Sequence, residues 1–386
     1  MASRFAGENS ISLPKPPAPT VWASVSPDTR QPPTQTGHSV PAEQRIRSIW
    51  TEASPMTRLL SKNEVLGLLD PDAVIEAVSG AFAAYSRGVT DTPLRASVTA
   101  PGGAGVILAM PCAIHDPAIT GTKVVSVFPG NPERGLPTVA SVYLLTDPGT
   151  GMPLAVMDGT ALTAARTAAG SAVATRHLAR PDAHTLGIFG TGVQARAHVE
   201  MIARVRSLSR VFVSGRTIEK AEAFAKWVTA HFGLEATATS PDITAASDII
   251  ACCTTSSVPV IQGVLPGAHI NAVGAFTPET RELGTDLISR AQVYLDTRSG
   301  ALAEAGDLLI PMHEGRFHPD RIVGEIGDVI NGRAPGRPGL PEGAVTVYKS
   351  VGAAFLDAAT ARLILDCAEA TGTGSTFAFM ETGDAP

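Results

Sequence analysis

Cysteine is scarce in this sequence of 386 residues, and its few occurrences follow no regular spacing. The cysteines are Cys112, Cys252, Cys253 and Cys367. No CxxC pair is present, and the two adjacent cysteines lie within an apolar run. The pattern excludes a disulfide framework and predicts reduced, buried thiols in a cytoplasmic protein that holds no metal.

Long hydrophobic runs and blocks of basic residues are also missing. No apolar stretch approaches the roughly 20 residues that span a bilayer, and the N-terminus lacks the apolar core of a secretory signal. The net charge of −6 includes no basic block that would bind nucleic acid or an anionic membrane surface. These absences predict a soluble, cytoplasmic protein whose partners include neither nucleic acids nor membranes.

Residues 1–55 form a proline-rich head that differs in composition from the remaining sequence. Its polar stretch has no sustained period and is interrupted by Pro14, Pro16, Pro17, Pro19, Pro27, Pro32, Pro33 and Pro41. Such a segment cannot bury enough apolar surface to offset the entropy lost on ordering. We expect a disordered extension or the product of an upstream start codon. A targeting peptide is an alternative that Glu8, Asp28 and Glu43 disfavour.

From Met56 onward the sequence shows regular hydrophobic patterns. Ser61 stands three residues before Glu64, a spacing that predicts a capped helix. Apolar runs separated by glycine and proline predict strands at 94–99, 105–111, 121–128 and 138–145. The Asp-Pro-Gly-Thr-Gly spacer at 147–151 predicts a hairpin turn, and an alanine-rich segment predicts a long helix at 159–178.

After Pro181 the sequence alternates between apolar strands and helices. Strands are expected at 185–189, 210–213, 236–239, 248–253, 269–273 and 291–296. The alternation is typical of an α/β protein whose parallel sheet is covered on both faces, and it places a doubly wound nucleotide domain at about 180–300. The segment 301–386 ends in a helix at 350–371 and is expected to return to the first domain, at 56–179.

A glycine-rich turn follows the first of these later strands and opens a helix. It consists of Gly190, Thr191, Gly192, Val193, Gln194 and Ala195. In this setting Gly190 permits a tight turn, Gly192 lets the backbone approach a pyrophosphate, and Ala195 allows close helix–strand packing. The first amides of the helix would then bind the phosphates. The turn predicts a dinucleotide cofactor, and an ordinary glycine-rich connection is the alternative.

The end of the next strand discriminates between the two nicotinamide cofactors. It reads Ser214, Gly215, Arg216 and Thr217, and the first acid, Glu219, comes only afterwards. A cofactor without the 2′-phosphate would need an acid for its ribose. Arg216 can instead pair with a 2′-phosphate, while Ser214 and Thr217 can donate hydrogen bonds. We therefore predict NADPH as the cofactor, with NAD(H) as the alternative. For Arg216 itself, the alternative is a solvated arginine at the start of a helix that has no role in cofactor binding.

Several segments resemble the ornithine cyclodeaminase/mu-crystallin family in their order and spacing. They are 151–159 (GMPLAVMDG), 162–169 (LTAARTAA), 190–195, 271–274 (NAVG) and 348–352 (YKSVG). The resemblance covers about 56–369. It implies a homodimer in which a Rossmann domain is inserted into a second α/β domain, built from both chain ends, for substrate binding and dimerisation. It also implies an active site in the cleft between the domains.

The resemblance further implies roles for Arg95, Lys123, Thr138 and Arg166. Arg95 matches the arginine that grips the substrate carboxylate, and Lys123 matches the substrate lysine. Thr138 matches a residue near the same carboxylate, and Arg166 matches the arginine that reaches the carboxylate or the cofactor. Their settings agree, because Lys123 interrupts an apolar strand and Arg166 an alanine-rich helix. A charge in such a setting is usually paired or functional.

Two positions depart from the pattern of the family's cyclodeaminases. Leu108 stands where those enzymes carry a glutamate, and Phe276 replaces their catalytic aspartate. Neither side chain can transfer a proton or attract an ammonium group. The sequence around Phe276, Gly-Ala-Phe-Thr-Pro at 274–278, resembles that of the family members that reduce pyrroline- and piperideine-carboxylates.

The sequence therefore predicts an NADPH-dependent reductase of cyclic 2-imino acids, which yields proline from pyrroline-2-carboxylate or pipecolate from piperideine-2-carboxylate. Arg95 and Lys123 are expected to hold the carboxylate, with Arg166 near it and near the cofactor. The alternatives are an ornithine cyclodeaminase, an alanine dehydrogenase-like enzyme, and a noncatalytic ligand-binding protein of the crystallin type.

Overall fold

The computed structural model describes residues 56–379 and builds two eight-stranded sheets from them. The predicted disordered head at 1–55 lies outside the described residues. Among the helices of the described part, none is long and apolar enough to cross a membrane.

The first sheet is built from both ends of the described chain. Its strands are β1 (Met56–Leu60), β2 (Thr90–Asp91), β3 (Ala96–Thr99), β4 (Val106–His115), β5 (Ala118–Val127), β6 (Val139–Thr146), β7 (Pro153–Asp158) and β16 (Ser375–Ala378). They follow the order β16-β1-β7-β6-β5-β4-β2, and β3 also pairs with β4. Strands β4 to β7 form an antiparallel meander.

Local signals begin and end these elements as the sequence predicts. In the β6–β7 turn, the Asp147 amide donates to the Met152 carbonyl over 2.8 Å, and the Asp147 carboxylate accepts from the Thr150 amide over 2.7 Å. The predicted hairpin is therefore confirmed. The predicted cap is also confirmed, because the Glu64 carboxylate accepts from the Ser61 amide over 2.7 Å at the start of a short helix.

Four helices lie against the first sheet and enclose its core. They are α1 (Lys62–Leu68), α2 (Pro71–Ser86), α3 (Gly159–Leu178) and α11 (Ala354–Thr371). Helix α3 matches the predicted range and begins where the Asp158 carboxylate accepts from the Ala161 amide over 2.7 Å. Its buried alanines, among them Ala168 and Ala172, allow close packing, and α3 contacts strands of both sheets.

The second sheet is entirely parallel and has the order β10-β9-β8-β11-β12-β15-β13-β14. Its strands are β8 (Thr185–Phe189), β9 (Arg210–Ser214), β10 (Glu235–Ala238), β11 (Ile249–Cys252), β12 (His269–Ala272), β13 (Gln292–Leu295), β14 (Ile322–Glu325) and β15 (Thr346–Lys349). The order reverses between β8 and β11, which opens a crevice at their carboxyl ends.

Helices cover both faces of this sheet and connect its strands. They are α4 (Val193–Val205), α5 (Ile218–Phe232), α6 (Pro241–Ala245), α7 (Thr285–Ile288), α8 (Arg298–Glu304), α9 (Gly306–His313) and α10 (Ile326–Ile330). Successive residues of β11 face separate cores, with Ile249 on one side and Ile250 on the other. The predicted doubly wound α/β fold is confirmed.

The predicted domain boundary at 300 is wrong for two strands. β15 lies between β12 and β13, and β14 pairs with β13, so residues 322–349 belong to the second sheet. The reason is backbone pairing. β15 satisfies the inner edges of β12, which is fully buried, and of β13, which is buried at three of its four residues, and both would otherwise carry unpaired amides and carbonyls. Helix α10 (Ile326–Ile330) already packs against α2 in the core of the first sheet, and the chain returns to that sheet itself with α11 and β16.

Candidate active site

The glycine-rich turn lies between β8 and α4 at the crevice of the second sheet. Gly190 has a φ of 108°, and a Cβ there would lie 2.7 Å from the carbonyl oxygen of Cys253. Gly190 is thus required by the fold. Gly192 differs, because a Cβ at this position would meet no atom of residues 56–379 within 4 Å. Ala195 is fully buried, as close packing of α4 on the sheet requires.

The end of β9 lies beside this turn. A Cβ on Gly215 would approach the Thr191 methyl group to 3.1 Å, which shows that the two segments are adjacent. Ser214 is buried and Arg216 is exposed. Thr217 begins α5, where its hydroxyl accepts a hydrogen bond from a first-turn amide. The structure therefore brings the predicted cofactor residues together at the carboxyl ends of the neighbouring strands β8 and β9.

The two remaining residues of the turn begin α4. Val193 is 65% exposed. The side-chain oxygen of Gln194 is buried and has no hydrogen-bond partner among residues 56–379. The first turn of α4 thus presents backbone amides and an open surface on which phosphate groups can lie.

A buried carboxylate joins two of the predicted substrate-binding cations. Lys123 Nζ on β5 and Arg166 Nε on α3 each donate to Asp357 on α11 over 2.8 Å. Lys123 also donates to the Thr163 hydroxyl over 3.3 Å. Two positive charges share one negative charge, so the cluster keeps a net positive charge that attracts an anion.

The cluster shifts the protonation equilibria of its members. Burial lowers the pKa of Lys123 to about 8, against the attraction of Asp357, and the nearby Arg166 and Arg95 also lower this pKa. Burial by itself would raise the pKa of the Asp357 carboxyl, but Arg166 and Lys123 outweigh it and hold this pKa below its usual value. Asp357 is therefore ionised, and Lys123 is the member that can lose its charge near neutral pH.

Arg166 is held against the loop that follows β15. Gly352 in this loop has a φ of 91°, and a Cβ there would lie 3.2 Å from the Arg166 guanidinium. The loop is fixed by the buried Asp296, whose carboxylate accepts from the amides of Val351 and Gly352 over 2.9 and 2.7 Å. The Ser350 hydroxyl donates to the same oxygen over 2.8 Å.

Arg95 lines a pocket between the two sheets, which we call the cleft pocket. Its other lining residues include Tyr85, Met110, Thr297, Glu304 and Gly352. Met110 pairs in register with Lys123, so the cleft pocket borders the cation cluster. Arg95 Nε donates to Glu304 Oε1 over 2.7 Å, and Arg95 Nη2 donates to the other oxygen. The Arg95 guanidinium also lies 6.0 Å from the centre of the Phe276 ring.

The remaining predicted site residue is Thr138, directly before β6. Its side chain is half-buried, and its backbone carbonyl accepts from the Phe128 amide over 2.8 Å. Among the described residues, no side-chain hydrogen bond joins it to Arg95, Lys123 or Arg166. Its role near the carboxylate stays a prediction.

Asp357 and Glu304 were not predicted from the sequence. A signal for Asp357 existed, because it is an acid that interrupts the apolar start of α11, and Lys123 was recognised on the same ground. Glu304 lies at the end of a short helix among small residues and carries no comparable signal.

Among the described residues, no cysteine thiol makes a hydrogen bond with the cations of the site or with Asp357. All four are free thiols, with Cys112 and Cys252 buried and Cys253 and Cys367 partly exposed, so burial was predicted correctly for two of them. Burial raises the pKa of Cys112 to about 11, which keeps it as an unreactive thiol. Among residues 56–379, no cluster of histidine, cysteine or acidic side chains is placed to hold a metal ion.

The ornithine cyclodeaminase/mu-crystallin family model matches residues 56–372. The chain belongs to this family. The match covers both sheets, the glycine-rich turn and the cation cluster, and it confirms the family that the sequence motifs indicated.

This chain matches three related proteins over nearly the whole length of each relative. A Delta(1)-pyrroline-2-carboxylate reductase of Bacillus cereus is 38% identical over 325 residues, which are 83% of this chain and 99% of the relative. The Thermococcus litoralis Delta(1)-pyrroline-2-carboxylate reductase in complex with NADH and L-proline has a TM-score of 0.79 at 37% identity, over 83% of this chain and 99% of that one. An archaeal alanine dehydrogenase dimer with bound NAD has a TM-score of 0.80 at 30% identity, over 84% and 100%.

Proposed function

We propose that this protein reduces the C=N bond of a cyclic 2-imino acid such as pyrroline-2-carboxylate, with proline as the product. The observation that carries the proposal is the cleft pocket, where Arg95 adjoins the cluster of Lys123 and Arg166. Neither Leu108 nor Phe276 supplies the carboxylate that a cyclodeaminase needs. The Bacillus cereus reductase and the proline-bound Thermococcus litoralis structure support the same reaction.

The cations act on the carboxylate of the substrate. Arg95 pairs with it through its planar guanidinium, and Lys123 and Arg166 add charge from the side of β5 and α3. Asp357 positions both of these cations, because it binds one with each oxygen. A carboxylate held in this way fixes the imine carbon in one orientation, which is the main contribution that the protein makes to hydride transfer.

The residues of the glycine-rich turn fit a dinucleotide. No atom of the described part of the chain requires the glycine at 192, and the space above it can receive a pyrophosphate beside the first amides of α4. Both comparison structures hold NAD or NADH, which supports a nicotinamide cofactor. When bound, this cofactor supplies a hydride to the imine carbon.

NADPH is the preferred form of the cofactor in this proposal. Arg216 follows β9 at the ribose end of the site and makes no hydrogen bond or ion pair with the described residues, so it is free to bind a 2′-phosphate. Ser214 and Thr217 flank it with hydroxyl groups. An acid that would bind an unmodified ribose is missing from the end of this strand.

The protein acts as a homodimer in this proposal. The solvent side of the first sheet, which we call the outer face, is uncharged along β4, β5 and β6. Its exposed apolar side chains are Val98, Ile107, Val124 and Val142. Val124 and Val142 are cross-strand neighbours, so the patch is continuous. An apolar patch of this kind is typical of a subunit interface, and the alanine dehydrogenase dimer supports the same assembly.

A substrate panel tests the activity. Pyrroline-2-carboxylate, piperideine-2-carboxylate and pyruvate with ammonia are each offered with NADPH and with NADH, and ornithine is offered with NADP⁺ and with NAD⁺. We expect NADPH oxidation with a cyclic imine and no ammonia release from ornithine, whose distal ammonium group would face Leu108 and Phe276 without a partner. Ammonia release from ornithine, or faster turnover of pyruvate with ammonia, would contradict the proposal.

A further inference from the structure

An ion pair at the wall of the cleft pocket has the charges of a zwitterion. Both oxygens of Glu304 accept hydrogen bonds from Arg95. The pair is partly exposed, with 15% of the Arg95 side chain and 22% of the Glu304 side chain accessible to solvent. Both residues line the same pocket. A small molecule that enters therefore meets a cation and an anion side by side.

We propose that Glu304 determines substrate specificity by binding the positively charged ring nitrogen of the imino acid. This inference rests on the proposed function, and it names the substrate class as zwitterionic rather than merely anionic. The substrate carboxylate takes the place of Glu304 on Arg95, and the protonated ring nitrogen donates to the Glu304 carboxylate. One ion pair is thereby exchanged for two, and neither charge of the protein loses its partner.

A monoanion of the same shape binds less well for the same reason. Its carboxylate would occupy Arg95, but no positive group would replace Arg95 as the partner of Glu304. The cost of leaving a partly buried carboxylate without a partner would reduce the affinity. Selection against uncharged rings thus follows from the pairing itself.

Other acids near the cleft pocket cannot take this role. Asp357 is fully buried, and its two oxygens are engaged by Lys123 and Arg166. Asp296 is fully buried as well and binds the amides of the loop after β15. Among the described residues that line the pocket, Glu304 is the one acid. It is also the one whose present partner, Arg95, can be shared with a ligand.

Arg95 does not depend on Glu304 alone for its position. Its Nη2 atom donates to the Phe276 carbonyl over 3.4 Å, and its guanidinium lies near the Phe276 ring. These contacts hold the guanidinium at the pocket wall while Glu304 changes partner. A role for Glu304 in ligand recognition is therefore separable from a role in orienting Arg95.

The test compares two ligands that differ in the ring nitrogen. L-proline carries a positive nitrogen, and cyclopentanecarboxylate has the same ring size with carbon in its place. Dissociation constants of both are measured by calorimetry on the protein saturated with NADPH, where neither ligand can react. We expect Glu304→Gln to weaken the binding of L-proline by about tenfold or more, because its charge-assisted hydrogen bond is lost. The binding of cyclopentanecarboxylate should be unchanged or tighter, because this ligand no longer leaves a carboxylate without a partner.

Two further variants complete the design. Glu304→Asp keeps the charge and should retain part of the preference for L-proline. Glu314→Gln removes an exposed acid that pairs with Arg281 outside the pocket, and it should change neither constant. Equal weakening of both ligands by Glu304→Gln would overturn the inference, since it would mean that Glu304 only orients Arg95.

The outcome is independent of the proposed activity. A wild-type protein that prefers L-proline through Glu304 but fails to reduce any cyclic imine would contradict the proposed function and support the role of Glu304. A wild-type protein that reduces the imine, with both ligands weakened equally by Glu304→Gln, would contradict the inference alone. Melting temperatures of all variants show whether the fold is intact.

Discussion

At the residue scale, the chemistry of the site depends on how two cations share the carboxylate of Asp357. Lys123 is the one of these two cations whose pKa is lowered by burial. Because burial lowers the Lys123 pKa to about 8, its charge is present at neutral pH and is lost under mildly alkaline conditions. The number of cations available to a substrate carboxylate therefore changes with pH.

The affinity for a carboxylate ligand should fall as the pH rises through about 8. The charged form of Lys123 binds the anion and the neutral form does not, so the loss approaches about tenfold per pH unit at most. Inhibition constants of cyclopentanecarboxylate, whose charge is constant over pH 6–10, measure this effect. Lys123→Arg, which stays charged, should remove the dependence. An unchanged dependence in Lys123→Arg would assign the titration to another group.

A second residue-scale prediction concerns Arg216 and the form of the cofactor. Arg216→Ala should weaken the binding of NADPH by about tenfold or more, because a charge-assisted contact with the 2′-phosphate is lost. The binding of NADH should be nearly unaffected. Fluorescence titration of both cofactors gives the two constants. Lys220→Ala removes an exposed cation from the same end of α5 and serves as the control. Equal losses for NADPH and NADH would rule out a contact with the 2′-phosphate.

At the scale of elements, the two glycines of the turn between β8 and α4 belong to one sequence motif but differ in whether the fold requires them. Gly190 is required by the protein itself, because its φ is positive and the Cys253 carbonyl leaves no room for a side chain. Gly192 has a φ of −87° and open space around it, so any small residue would suit the fold. Its smallness fits the proposed approach of a pyrophosphate.

Substitution of the two glycines should therefore have opposite effects. Gly192→Ala should leave the melting temperature nearly unchanged. It should weaken the binding of NADPH by about tenfold, since a methyl group would occupy space for the pyrophosphate. Gly190→Ala should lower the melting temperature, because alanine is strained at this φ and meets the Cys253 carbonyl. Calorimetric melting with and without NADPH measures both. A stable Gly192→Ala variant with unchanged NADPH affinity would contradict the proposed position of the pyrophosphate.

At the scale of the whole molecule, the two faces of the first sheet differ in what covers them. The inner face packs against α2, α3 and α11 and is fully buried at Tyr143 and Leu145. The outer face carries exposed valines and no charge along its central strands. Exposure of so much apolar surface is unfavourable in water, and a second copy of the chain would bury it.

A charge on the outer face should separate the subunits. Val142→Glu places a carboxylate beside Val124, and two-fold symmetry would bury a like charge from each subunit. We expect a dimer for the wild type and a monomer for the variant in light scattering after size-exclusion chromatography. Ile243→Glu, at another exposed apolar position on α6, should remain dimeric. A monomeric wild type would contradict the proposed interface.

Much of the fold was predictable because local signals mark it. The bounds of α3 and β8 and the start of α4 agree with the sequence prediction, since an N-cap, an apolar run and a glycine turn each depend on a few neighbouring residues. Lys123 and Arg166 could be singled out because a charge within an apolar strand or an alanine-rich helix is visible without a structure, whereas Arg95 was predicted from the family resemblance alone. The family motifs added the order of the domains and the expected reaction.

Only the tertiary structure decided which distant residues meet. Asp357 lies 234 positions from Lys123, and Glu304 lies 209 positions from Arg95, so neither pairing leaves a trace in local periodicity. The position of β15 between β12 and β13 could not be predicted from the sequence for the same reason. A short buried strand is positioned by backbone pairing with the strands on both sides of it. Sequence determines which segments become strands and helices, whereas backbone pairing and the burial of charge determine which of them become neighbours.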